Sequence, residues 1–139
     1  MSMEKLKFFV VEDNASFLEG IILFLEQILN YEVIGSASDI ENLLKQKARY
    51  YKADIILMEI QLTNINSIIT NNKLIWMNHT KQVIAMITFQ NVIGLIQLVN
   101  AGFKACVYKN RIFNDLHQAI KAVADGRMYY PENPNYEEN

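Results

Sequence analysis

The chain has 139 residues, of which 51% are hydrophobic and 20% are charged, so it has enough apolar material for one domain with a buried core. Lysine and arginine number 13 against 15 aspartates and glutamates, and the net charge of −2 leaves no basic surplus for direct DNA binding. The single cysteine, Cys106, excludes a disulfide framework and a multi-cysteine zinc site. Apolar stretches fall short of the roughly 18–20 residues of a membrane span, and the N-terminus lacks a signal-peptide pattern, so we expect a cytoplasmic protein without a membrane contact.

Strand-like and helix-like segments alternate along the whole chain. Short runs rich in β-branched and aromatic residues predict strands, and apolar residues three or four positions apart predict helices. The predicted strands are Lys7–Val11, Tyr31–Ser36, Asp54–Ile60, Gln82–Thr88 and Ala105–Tyr108. The predicted helices are Asn14–Leu29, Ile40–Lys47, Ile65–Met77, Val92–Ala101 and Ile112–Ala124, with Asn14 and Asp39 as N-caps and Gly102 ending the fourth.

Two of these helices carry apolar residues on more than one face. In Val92–Ala101 the pattern predicts a core arc of Val92, Leu95, Ile96 and Val99. It leaves Leu98 on the outside as a candidate contact for a partner. In Asn14–Leu29 the stripe through Ile28 is predicted to face the core, and the wider apolar arc around it favours burial over an interface.

The alternation of elements predicts a parallel sheet between two layers of helices, and such sheets bind ligands beyond the carboxyl ends of their strands. Five polar residues lie at the predicted carboxyl ends of these strands, and each has an ordinary explanation on its own, as a loop acid, a helix cap or a solvated lysine. An acid inside an apolar run is nevertheless costly to bury unless it is paired. Together they indicate chemistry, because carboxylates suit Mg²⁺ while a hydroxyl and an ammonium suit phosphoryl oxygens. They are Glu12, Asp13, Glu59, Thr88 and Lys109.

Several motifs carry a family resemblance: VVEDN at 10–14, DIILMEIQLTNINSI at 54–68, VIAMIT at 83–88, NAGFKACVYKN at 100–110 and the exit DGRMYYPEN. In this order and spacing they resemble the receiver domain of two-component response regulators over residues 5–130. The resemblance implies a flavodoxin-like (βα)5 fold of the α/β class, a three-layer αβα sandwich with a five-stranded parallel sheet in the order 2-1-3-4-5. We expect residues 1–130 to form this domain and 131–139 to be a tail or the start of a linker.

The resemblance also implies a role for each residue at the strand ends. Glu12 and Asp13 would hold Mg²⁺ together with the backbone carbonyl of Gln61. Glu59 occupies the position of the aspartate that accepts a phosphoryl group from a histidine kinase. Thr88 and Lys109 would bind that phosphoryl group and move the signalling surface. This makes the chain a signalling module and not an enzyme.

Departures from the family pattern cluster around this predicted site. Glu59 is one methylene longer than aspartate, which moves its carboxylate by about 1.5 Å, and errors of about 1 Å in reacting geometry can cost on the order of a hundredfold in rate. Leu62–Thr63 replaces the usual methionine and proline, Phe89 replaces a small residue, and Cys106 replaces the switch aromatic. We therefore predict a pseudo-receiver that signals atypically or without phosphorylation and binds Mg²⁺ weakly or not at all.

Three alternatives stay open. Glu59 could pair with Lys109 and lock an inactive form, the chain could be a conventional receiver carrying an Asp-to-Glu substitution, or it could be an inert scaffold or dimerisation module. The expected partners are a sensor histidine kinase and a second copy or another protein on the 91–124 face. The exit resembles that of receivers linked to a helix-turn-helix output domain, so DNA contact is expected only through such a domain, which is absent from these residues.

Overall fold

The computed structural model describes residues 5–61, 82–88 and 92–131. The predicted helix Ile65–Met77 lies outside these ranges. The chain divides into two units, Met1–Glu59 and Ile60–Asn139. None of the helices in the described ranges combines the length and the apolar character needed to span a lipid bilayer.

A five-stranded sheet organises the fold. Its strands are Lys7–Val11 (β1), Glu32–Ala37 (β2), Ile55–Glu59 (β3), Gln82–Ile87 (β4) and Ala105–Tyr108 (β5). The strands are parallel, and their order is β2-β1-β3-β4-β5. Both the strand order and the strand positions predicted from the sequence are confirmed, with ends that differ by at most one residue. Strands β3, β4 and β5 are almost entirely buried, as expected for parallel strands covered on both faces.

In the first unit, β1 leads into helix α1, Ala15–Leu23. Asn14 caps this helix as predicted, because its side-chain oxygen accepts a hydrogen bond of 2.9 Å from the Phe17 amide. The helix continues as a π-helical segment, Phe24–Ile28, in which a backbone hydrogen bond spans one more residue than in an α-helix. That wider turn rotates the side chains after it, and Ile28 is 70% exposed, so its predicted place in the core is wrong.

The second helical region of this unit is divided in two and extends further than predicted. Helix α2 covers Ile40–Leu44 and helix α3 covers Lys47–Tyr50, where the sequence predicted one helix over Ile40–Lys47. Asp39 caps α2 as expected, accepting a 2.8 Å bond from the Asn42 amide. Between the two helices the Gln46 side chain donates a 3.0 Å bond to the Ser36 carbonyl, which ties the break to β2.

The second unit contains β4, β5 and two further helices. Helix α4, Val92–Asn100, is followed by Gly102 at a φ of +92°, a conformation that glycine adopts without strain. Strand β5 passes through a 3₁₀ turn, Lys109–Arg111, into helix α5, Ile112–Ala124. The bounds of β5 and α5 are those predicted from the sequence. Helix α5 buries one stripe that includes Leu116 and Ile120.

Helix α4 is rotated relative to the sequence prediction. Leu98, predicted to be outside, is fully buried, whereas Ile96 and Val99, predicted to be in the core, are 54% and 41% exposed. The buried face contains Gly94 and Leu98, four residues apart. The prediction failed because the helix carries apolar residues around most of its circumference. Their periodicity alone therefore does not show which face is buried.

Candidate functional site

Three carboxylates lie together at the carboxyl ends of β1 and β3. Val11 pairs with Met58 in the parallel register, so the next residues, Glu12 and Glu59, leave neighbouring strands at the same level. Asp13 follows Glu12, and one carboxylate oxygen from each of the three acids lies within 4.8 Å of the others. The structure thus brings together the three acids at the ends of β1 and β3, and the strand register is the physical reason for their proximity.

The cluster ranges from buried to exposed. Glu12 is only 2% exposed, Glu59 is half-buried and Asp13 is exposed. The Glu12 amide donates to the Ala37 carbonyl at 3.0 Å, which extends the β1–β2 ladder by one residue. The Glu12 side chain in turn accepts a 3.0 Å bond from the Asn14 amide through Oε2. These bonds fix the buried acid at the point where the strand turns into α1.

The donor set fits a hard divalent cation. Mg²⁺ prefers oxygen ligands and is usually bound through one or two carboxylates while it keeps several waters. Glu12 and Asp13 would hold the cation from the β1 side, and Glu59 would hold it from β3. When bound, Mg²⁺ would neutralise the cluster and orient an incoming phosphoryl oxygen.

Thr88 and Lys109 form a second pair, in the other unit. Ile87 of β4 pairs with Tyr108 of β5, so Thr88 and Lys109 leave adjacent strands at the same level. Neighbouring strands are about 4.8 Å apart, which places the two backbones side by side. Thr88 is exposed, and Lys109 is half-buried at the start of the 3₁₀ turn.

The predicted site residues thus form two groups, the acidic cluster and the Thr88–Lys109 pair. The register of the adjacent strands explains why the members of each group lie close together. Gln61 is exposed two residues after the end of β3, and its carbonyl stays a predicted metal ligand. The convergence of the acidic cluster with Thr88 and Lys109 in a common cleft also stays a prediction. The departures at Leu62–Thr63 and Phe89 lie outside the described residues.

Cys106, at the predicted position of the switch aromatic, is a core residue of β5. Burial raises the pKa of its thiol from 9.0 to about 12, so the group is neutral and unreactive near pH 7. Burial also raises the pKa of Tyr108, and the nearby Cys106 raises it further. In this strand, therefore, the cysteine is a packing residue.

The exit contains one structural feature that the sequence did not predict. Tyr129 forms an isolated parallel bridge with Ala105, so the chain returns to β5 after the last helix. The signal available in the sequence was Gly126, which ends α5, followed by the β-prone pair Tyr129 and Tyr130.

The strand order and the acidic cluster agree with the family comparison. A family model described as the response regulator receiver domain matches residues 8–121. The chain belongs to this receiver family. It is the receiver domain of a response regulator in two-component signalling, and Mg²⁺ binding at its acidic pocket is the property that its Glu12–Asp13–Glu59 cluster fits.

Curated relatives of the receiver are transcriptional and response regulators. The response regulator GacA of Pseudomonas syringae pv. syringae is 28% identical over 124 residues, which cover 89% of this chain and 58% of the relative. The transcriptional regulatory protein DegU of Brevibacillus brevis is 24% identical over 125 residues, covering 90% of this chain and 52% of the relative. The receiver therefore spans little more than half the length of these proteins.

Solved structures support the fold. The isolated receiver domain of RcsB from Salmonella enterica serovar Typhimurium has a TM-score of 0.78 at 21% identity, covering 95% of this chain and 97% of that one. The non-phosphorylated receiver domain of RcsB from Escherichia coli has a TM-score of 0.75 at 20% identity, covering 93% of this chain and 100% of that one. At these identities the likeness concerns the fold and not the chemistry of the site.

Proposed function

We propose that this receiver is atypical and signals with the permanent carboxylate of Glu59 instead of with a conventional aspartyl phosphate. The observation that carries the proposal is a glutamate at the end of β3, in the acceptor position, within the cluster of Glu12 and Asp13. Its carboxylate is held where a receiver would otherwise carry a phosphoryl group or contact the metal.

The length of the side chain argues against ordinary phosphotransfer. The register of β1 and β3 fixes the Glu59 backbone beside Glu12. With the backbone fixed, the extra methylene carries the carboxylate about one C–C bond, roughly 1.5 Å, beyond the reach of an aspartate. An acceptor displaced by that distance loses the alignment that in-line transfer needs.

The same extra length supports a signalling role. A carboxylate carried further from β3 brings negative charge towards the position that a phosphoryl oxygen would occupy. Thr88 and Lys109 offer a hydroxyl and an ammonium at matching levels of β4 and β5, the donors that such an anion requires. Glu59 would therefore partly imitate the phosphorylated state, with Mg²⁺ bound weakly or not at all.

The proposed partners follow from the surface and the charge. We expect a sensor histidine kinase as the partner of the wider system, and a cytoplasmic site of action. The exposed apolar residues Ile93, Ile96, Val99 and Phe113 favour the 91–124 face as a contact with a second copy or a partner protein. Any contact with DNA would come from sequence other than these residues, because their net charge of −2 leaves no basic surplus for the phosphate backbone.

The experiment is phosphorylation by acetyl phosphate with Mg²⁺, followed by intact-mass measurement. We expect the wild-type mass to stay unchanged and Glu59→Asp to gain one phosphoryl group, because the shorter side chain restores the acceptor geometry. Glu41→Asp, the same change at an exposed glutamate of α2, serves as the matched control and should stay unchanged. A stoichiometric gain by the wild type that is lost in Glu59→Ala would overturn the proposal.

A further inference from the structure

The end of the last helix turns the chain back towards the sheet. Gly126 has a φ of +79°, and its amide bonds to the Val123 carbonyl at 3.0 Å while the Arg127 amide bonds to the Ala122 carbonyl at 2.7 Å. This pair of bonds is the Schellman arrangement, which ends a helix with a glycine in the left-handed conformation. The residues that follow, 127–130, are called the exit strand below.

The exit strand uses both of its central main-chain groups to hold β5. The Tyr129 amide donates to the Lys104 carbonyl at 3.0 Å, and the Cys106 amide donates to the Tyr129 carbonyl at 2.8 Å. Because β5 is the last strand in the order of the sheet, the exit strand covers the edge that β5 would otherwise leave open.

A side chain adds a third attachment. The Tyr130 hydroxyl donates a 2.8 Å bond to the Phe103 carbonyl, just before β5 begins. Tyr130 is half-buried, and burial raises the pKa of its hydroxyl, which keeps it protonated as the donor. Three hydrogen bonds thus join the exit to Phe103, Lys104 and Cys106 at the start of β5.

The strand held in this way is the one that ends at Lys109. Strand β5 has four residues, and about 10 Å of extended chain separates the Cys106 amide from Lys109. A strand this short, buried along its whole length, shifts as one piece because packed interiors resist gradual deformation.

We propose that the exit strand is a strap on β5 that couples the chain beyond Pro131 to the position of Lys109. When the strap is docked, the outer edge of β5 is closed and its register is fixed at Lys104–Cys106. When the strap is released, that edge opens and the carboxyl end of the strand carrying Lys109 is free to move. The coupling does not depend on whether Glu59 accepts a phosphoryl group.

The test uses amide hydrogen exchange and NMR of the full chain without any phosphodonor. Tyr129→Pro removes the amide that bonds to Lys104, and Tyr130→Phe removes only the hydroxyl bond to Phe103. We expect the Cys106 amide to exchange about tenfold faster in Tyr129→Pro and severalfold faster in Tyr130→Phe, because each loses part of the strap. In both variants the Lys109 amide and Nζ resonances should shift.

The controls separate the strap from general damage. Tyr51→Phe changes an exposed tyrosine of the first unit and should leave the Cys106 exchange rate and the Lys109 resonances unchanged. The amide of Val10, in the buried strand β1, should stay protected in every variant that is folded. If Tyr129→Pro does not fold, Tyr130→Phe alone decides. Unchanged Cys106 exchange, or faster exchange with unmoved Lys109 resonances, would overturn the proposal.

Discussion

Helices α4 and α5 belong to the same unit, yet the sequence predicted the orientation of only one of them. In α5 polar residues such as Asn114 and Lys121 separate the apolar ones. The spacing of Ile112, Leu116, Ile120 and Val123 predicts one apolar face, and this face is the buried one. Helix α4 has only Gln97 and Asn100 as polar residues, and its predicted and observed faces differ. The buried face of a helix can be predicted from the contrast between its polar and apolar positions, and not from its apolar content alone.

The reason for this difference is energetic. In α5 a rotation would bury charged or amide groups without partners, so one orientation is strongly preferred. In α4 a rotation exchanges one branched aliphatic residue for another, and the transfer free energies nearly cancel. Local fit then decides, and the small residue Gly94 together with Leu98 occupies the inner face.

The strongest test of this account is truncation of Leu98. We expect Leu98→Ala to lower the free energy of unfolding by about 3 kcal/mol, because a fully buried leucine leaves a cavity. Ile96→Ala, on the exposed side of the same helix, should cost less than about 1 kcal/mol. Urea denaturation of both variants measures the difference. A larger loss for Ile96→Ala would restore the orientation predicted from the sequence.

A second test concerns β5, the strand that joins the two helices. Burial raises the pKa of the Cys106 thiol from 9.0 to about 12, so the folded state keeps its proton while the unfolded state loses it as the pH rises. The contribution of the protonated thiol to the free energy of unfolding is complete below pH 9 and is lost progressively towards pH 12. Between pH 8 and pH 10 the free energy of unfolding should fall by about 1 kcal/mol more in the wild type than in Cys106→Ala. If the free energy of unfolding, measured by denaturant titration, changes equally with pH in both proteins, the thiol is less buried than the structure indicates.

The strands and the acidic cluster were predictable for a related reason. Each predicted strand is a short apolar run, and parallel order brings the residues after β1 and β3 to one edge, so Glu12 and Glu59 meet through register alone. The π-helical turn at Phe24–Ile28 and the return of Tyr129 to β5 were not predicted. Both depend on backbone hydrogen bonds outside the regular helix and strand patterns, from Leu29 to Phe24 in the first case and between Tyr129 and the start of β5 in the second. Such bonds leave no periodic signal in the sequence.

The smallest expected effect on stability is at the exposed side of α4. Ile96→Lys should change the free energy of unfolding by less than about 0.5 kcal/mol, because a side chain that is 54% exposed contributes little burial. The same variant should weaken self-association in sedimentation, since a charge on the 91–124 face opposes an apolar contact. Gln27→Lys, an exposed position of the first unit, adds the same charge elsewhere and should leave association unchanged. Equal association of wild type and Ile96→Lys would remove this side of α4 from the interface and leave its exposed isoleucines and valine without a role in assembly.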